Sequence, residues 1–171
     1  MYSKLAQSVT ACADAQEFAK IIAEMREKFR ERVPDETEFT VPFARLTYRA
    51  NYTRERNLVR YALTHIARHH GMPEEVDLSM LTIEHILAQS QGDESDDEFD
   101  VGAIGNLIFV NESVNGKLGT KSFKEKMKLF NSSNNVYMDD YLTRSTEWSE
   151  INIGERGVEL AEIGYNKIRT I

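Results

Sequence analysis

The chain has 171 residues, 41% of them hydrophobic and 29% charged, with a formal net charge of −7. That is enough apolar material for one sizeable core, so a single domain over residues 1–171 is the first expectation. No stretch approaches the ~18 uncharged apolar residues that suggest a membrane helix, and a single cysteine, Cys12, excludes an internal disulfide and any zinc site built on paired cysteines.

The N-terminal MYSKLAQSVTACADAQEF lacks the basic, apolar and small-residue succession of a secretory leader, and a cytoplasmic location is expected. From Asp14 to about Val33, the residues Phe18, Ile21, Ile22, Met25 and Phe29 recur at helical spacing and predict an amphipathic helix, with Pro34 beyond its end. The following TEFTVPFARLTY (Thr37 to Tyr48) is mixed, and Pro42 makes it a poor interior helix or strand. From Thr53, TRERNLVRYALTHIARHHG predicts a second helix with Leu58, Val59, Ala62, Leu63 and Ile66 turned inward and Gly71 just past its end.

The middle of the chain changes period. MLTIEHIL (Met80 to Leu87) and NLIFV (Asn106 to Val110) are short and rich in branched residues, which predicts two strands. Between them lie the acidic block GDESDDEFD, Gly92 to Asp100, read as a solvated loop, and the tight turn GAIGN. NESVNGKLG then starts a helical turn, and Ser122 with Glu125 three residues on forms a capping box for a further helix. The closing TEWSEINIGERGVELAEIGYNKI predicts a helix from about Thr146 that covers the middle unit, with Trp148, Ile151, Ile153, Val158, Leu160 and Ile163 available for packing.

An overall negative charge argues against a nucleic-acid partner. Much of the acid, however, sits in the 92–100 block, whereas Asn115 to Phe130 carries five lysines and one glutamate, and a cleft responds to its local charge. Glu84 and His85 stand side by side in an otherwise apolar run and need partners, because an unpaired buried charge is costly. A one-metal nuclease of the ββα type requires an imidazole to deprotonate water, an oxygen ligand beside it, and an amide or imidazole on the following helix. His85, Glu84 and Asn115 have those chemistries in that order. A neutral histidine accepts a proton near neutral pH, and magnesium keeps several waters, so one or two protein ligands suffice.

Plainer uses exist for the same residues. Asn106 after Gly105 suits a turn, and Asn115 before Gly116 suits a helix end. Lys117 and Lys121 fit either an ordinary surface or phosphate contacts, and Lys124, Lys126 and Lys128 read as a solvated helix face. His65 and His69 have the spacing of half a zinc site but lack the glutamate of the metalloprotease motif, and the helix dipole explains His69 and His70 more simply. GAIG has no following lysine to make a nucleotide loop, and no serine occupies a nucleophile elbow.

Taken together, IEHILAQS, IGNLIFV and SVNGKLGTKSFKEK resemble the HNH-type domain at the C-terminus of GmrSD-like type IV restriction enzymes, with its EHI-P, GNL and N-K-nKpF-eK signature. The similarity runs from about Arg56 to Ile168, includes Trp148 and Arg156, and is densest between Ile83 and Lys126. The separation of Asn106 and Asn115 also equals that of the two asparagines in the HNH domain of RNA-guided CRISPR nucleases. The resemblance implies an α+β, mostly helical fold: a small ββα-metal (HNH/His-Me finger) core over 76–131 between helical parts over 1–75 and 132–171. It implies His85 as general base, Asn106 as its catalytic partner bracing loop and base, and Glu84 and Asn115 as ligands of one Mg2+ or Mn2+ ion. Lys117 and Lys121 are then candidate nucleic-acid contacts. The activity implied is cutting or nicking of DNA in phage defence, often on modified DNA, with an N-terminal nucleotide-hydrolysing domain or other subunit as regulatory partner. A reading from another class is a non-catalytic protein- or nucleic-acid-binding module on a degenerate nuclease scaffold. Two departures bear on the site: Ala88 stands where the family usually has proline, and neighbours on a regular strand point to opposite faces, so Glu84 and His85 share an ion only where the strand kinks or ends.

Overall fold

A computed structural model describes residues 2–49, 54–88, 101–134 and 136–168; the acidic block from Gly92 to Asp100 lies outside the described residues. The chain divides into two compact units, Met1–Asp35 and Glu36–Thr170. The first holds α1 (Tyr2–Ala11), which the sequence did not announce, and α2 (Ala15–Arg30). Asp14 caps α2, its Oδ1 accepting from the Gln16 and Glu17 amides at 2.8 Å each, and Glu17 reaches back to the Ala13 amide. No residue of α2 is buried; Ile21, Ile22, Met25 and Phe29 of its apolar stripe are half-buried and Phe18 is exposed.

The second unit begins with α3 (Glu36–Ala44), which runs through Pro42 and so corrects the expectation that this stretch makes a poor helix. Proline removes one helical hydrogen bond, but α3 packs along α8 (Glu150–Ile163), and Phe39 stacks on Phe43 at 5.4 Å and lies 5.6 Å from Tyr165. Tertiary packing outweighs the local penalty. The next helix, α4 (Arg56–His69), buries Val59, Ala62, Leu63 and Ile66 as expected and ends before Gly71, whose φ of 94° suits glycine. Leu58 falls at the edge of that stripe and is 51% exposed, a correction to its predicted inward place.

Strands β1 (Leu81–His85) and β2 (Leu107–Asn111) pair antiparallel, with Ile83 opposite Phe109, Glu84 opposite Ile108 and His85 opposite Leu107. One face of this ribbon joins Leu46, Val59, Leu63, Ile83, Leu107 and Phe109; the other joins Ile108, Val110, Val114, Leu118 and Phe130. Helix α5 (Glu112–Leu118) leaves β2 directly, with Asn111 Oδ1 capping the Val114 amide at 2.9 Å, and packs on both strands. Then come α6 (Phe123–Asn131), with the predicted Ser122–Glu125 capping box, the short α7 (Asp140–Arg144), and α8, which starts at a second box, Ser149 with Asn152. Helix α8 packs against the 3-10 turn Ile104–Asn106 and so covers the strand unit, burying Ile153 and Leu160; Ile151 and Val158, expected inside, face out because they lie on its far side. A π-helical turn, Gly164–Ile168, follows. The architecture is mostly helical with one small antiparallel sheet, an α+β fold. Among the described residues no helix is long and apolar enough to cross a membrane.

Candidate active site

Strand alternation decides the first question about Glu84 and His85. Cross-strand partners share a face, so Glu84 lies with Ile108 on the α5–α6 side and His85 with Leu107 on the α4 side. The two side chains therefore diverge at the end of β1. The partner that Glu84 requires is Lys126, whose Nζ donates to Glu84 Oε1 at 2.7 Å and to the His85 carbonyl at 2.6 Å. Lys126 is fully buried and the Glu84 side chain is 13% exposed, so this is an interior ion pair and not a member of a solvated helix face. The correction has a simple basis: Phe123, Lys126, Met127 and Phe130 fall on one stripe of α6, and the stripe faces the strands.

On the opposite face, His85 Nε2 lies 3.0 Å from the Tyr48 carbonyl oxygen. A carbonyl only accepts, so Nε2 carries the hydrogen, and in the neutral imidazole Nδ1 is the basic nitrogen. Tyr48 is itself fixed: its amide donates to Gly102 O at 2.9 Å, Thr47 bridges to Ala103, and the Thr47 amide donates to Glu55 Oε2 at 3.0 Å. Its ring lies 6.2 Å from the imidazole.

The chain after His85 is held by Asn106. This fully buried amide accepts from the Leu87 amide at 2.8 Å and from Trp148 Nε1 at 3.0 Å, and donates to Leu87 O at 2.9 Å and Val101 O at 2.7 Å. Its backbone carbonyl takes the Ile86 amide at 2.8 Å. Each side-chain hydrogen and each lone pair has a partner. Asn106 is thus a positioning residue that locks the turn where the family usually has proline, and it has no capacity left to meet a substrate. Behind it, Arg156 donates through Nη1 to Gly105 O at 2.6 Å and Leu107 O at 3.0 Å, and through Nε and Nη2 to Asp139 Oδ2 at 2.9 and 2.7 Å. Burial alone raises the Asp139 carboxyl, but the Arg156 guanidinium and the Leu142 amide outweigh it and hold it below its ordinary value. Gly105 permits the close approach of α8: a Cβ there would sit 2.0 Å from Ile153 O.

Asn115 occupies the middle of α5, not a helix end, half-buried and on the side of the sheet that carries Glu84; among the described residues its amide has no hydrogen-bond partner. Lys117 and Lys121 are exposed on the last turn of α5 and the turn after it. His65 packs on Tyr61 at 4.4 Å and His69 against His70 at 5.1 Å, which places them in ring contacts. Among the described residues no three His, Cys, Asp or Glu side chains gather closely enough to cage a metal. The donor set that remains, one Glu84 oxygen outside the Lys126 pair and the Asn115 amide oxygen, is hard and oxygen-only, which suits a magnesium ion that retains most of its waters.

Three elements of this site were missed by sequence reasoning. The Tyr48 carbonyl is a backbone contact across 37 positions, with no side-chain signature. Lys126 was detectable from the α6 stripe. The Arg156–Asp139 pair gave no local signal beyond an arginine inside an amphipathic pattern.

No curated protein matches the chain at a significant level. The family model describing the C-terminal domain of GmrSD restriction endonucleases matches residues 36–163, starting where the second compact unit starts and taking in both strands, α5, Lys126 and Arg156. Since that match spans well over half of the sequence, this chain belongs to the GmrSD restriction endonuclease C-terminal domain family.

Proposed function

We propose that the chain is an HNH-type, metal-dependent DNA endonuclease that restricts incoming phage or modified DNA, with β1, β2 and α5 as its ββα-metal core. The observation that carries this reading is the hydrogen bond from His85 Nε2 to Tyr48 O, which makes Nδ1 the basic nitrogen at the braced end of β1. His85 acts as general base: Nδ1 takes a proton from water, the oxygen attacks phosphorus, and the bond to the leaving ester oxygen breaks, with solvent supplying the proton to that oxygen. Glu84 and Asn115 are the residues to hold a magnesium or manganese ion, which when bound supplies charge to polarise the scissile phosphate and steady the leaving oxygen. Asn106 and Lys126 position His85 from either side of its peptide, and Lys117 and Lys121 contact phosphates. A nucleotide-hydrolysing domain or subunit is the regulatory partner that this reading expects.

A second reading draws support from the Glu84–Lys126 pair: a carboxylate already neutralised by a buried ammonium suits a scaffold that binds protein or nucleic acid without cutting. Supercoiled plasmid separates the two. The nuclease reading requires nicking in Mg2+ or Mn2+, none in EDTA, and a loss of about 100-fold in His85→Ala, the usual scale for a general base. Intact plasmid after exposure to the native full-length protein with each divalent metal favours the scaffold reading.

A further inference from the structure

The segment that carries Tyr48 past His85 has an unusual charge for this chain. Between Arg45 and Arg56 lie four arginines, Arg45, Arg49, Arg54 and Arg56, and one carboxylate, Glu55, in a protein of net charge −7. All four arginines are exposed. Glu55 is half-buried and accepts the Thr47 amide at 3.0 Å, and Arg49 engages a partner of its own, so the charge shown to solvent rests on Arg45, Arg54 and Arg56. Arg56 places its guanidinium 5.5 Å over the Tyr48 ring and donates to Tyr48 Oη at 3.2 Å, while that ring lies 6.2 Å from the His85 imidazole.

We propose that Arg45, Arg54 and Arg56 form the track that holds the DNA phosphate backbone on the His85 side of the site. The inference rests on the nuclease reading and deepens it by choosing a face. A general base works within hydrogen-bond reach of the water it activates, and that water lies beside the phosphorus it attacks. His85 looks to the Tyr48 side of the ribbon, whereas Lys117 and Lys121 follow α5 on the Glu84 side. The DNA backbone therefore crosses the end of β1, meeting Lys117 and Lys121 on the Glu84 side and the arginines on the His85 side, with Arg56 fixed by Tyr48 and its remaining guanidinium donors available for bidentate phosphate contacts.

Fluorescence anisotropy of an end-labelled duplex with the full-length protein in EDTA reads binding without cleavage. Across a salt series, Arg45→Gln/Arg54→Gln is expected to bind about 10-fold more weakly at 0.1 M salt and to flatten the log-affinity against log-salt slope by about two, one for each phosphate no longer neutralised. Arg56→Lys is expected to keep the slope, and Arg56→Gln to lose about one more. Native affinity and native slope in the double variant overturn the track, as does failure of the unaltered protein to bind duplex in EDTA. The failures are distinguishable: arginine-dependent binding by a chain that never cuts removes the nuclease reading and leaves the track, while metal-dependent cutting with full binding by the arginine variants removes the track alone.

Discussion

Replacing Lys126 by methionine removes the cation paired with Glu84 while keeping most of the side-chain volume. The structure says what is left behind: a carboxylate 13% exposed without its partner, and the His85 carbonyl without the donor at 2.6 Å. Breaking a buried ion pair from one side costs about 3–5 kcal/mol, because the remaining charge stays desolvated. For a chain of this size that corresponds to a fall in Tm of roughly 6–20 °C. Exchanging both partners, Lys126→Met with Glu84→Gln, leaves no charge at this pair and is expected to recover most of the loss. Urea unfolding followed by circular dichroism on the native protein, both single variants and the double variant closes the cycle. Compensation within the pair is refuted if Lys126→Met costs under about 1 kcal/mol, or if the double variant is less stable than Lys126→Met by the full cost of Glu84→Gln, since either result means that the two charges act independently.

Two further predictions address the brace behind His85. Asn106→Ala strands four partners, the buried Trp148 Nε1 and three part-buried backbone groups of Leu87 and Val101, and is expected to cost about 4 kcal/mol at ~1–3 kcal/mol for each unsatisfied group, less relaxation, as read by urea unfolding. The Asp139 carboxyl lies below its ordinary value of 3.8 in the folded chain, so its contribution is complete above that value and is lost as pH falls through the lowered one. The stability advantage of the native protein over Asp139→Asn should accordingly be largest near neutral pH and shrink between pH 4 and the acid limit, in denaturation curves recorded at stepped pH. An advantage independent of pH over that range contradicts the assignment of the pair.

The elements that were legible are those with a local cause. Short runs rich in branched residues marked β1 and β2, the Ser122–Glu125 box marked the start of α6, and Gly71 marked the end of α4. Helix α3 was not legible because Pro42 argues against it locally and only the contacts with α8 reverse the balance. At the site, the sequence places Glu84, His85, Asn106 and Asn115 on neighbouring elements, and those elements do pack together. It does not show that Glu84 and His85 diverge, that the nearest cation to Glu84 is a lysine, or that a main-chain oxygen from Tyr48 fixes the imidazole. Those facts depend on which face a strand presents and on backbone groups far away in the chain, and residue identity does not encode them one position at a time.

The proposed chemistry turns on His85 serving as the base, and single-turnover plasmid nicking by His85→Ala, with and without added imidazole, addresses it most directly. A fall of about 100-fold or more that free imidazole partly restores is the predicted result. Nicking at the native rate by that variant contradicts it.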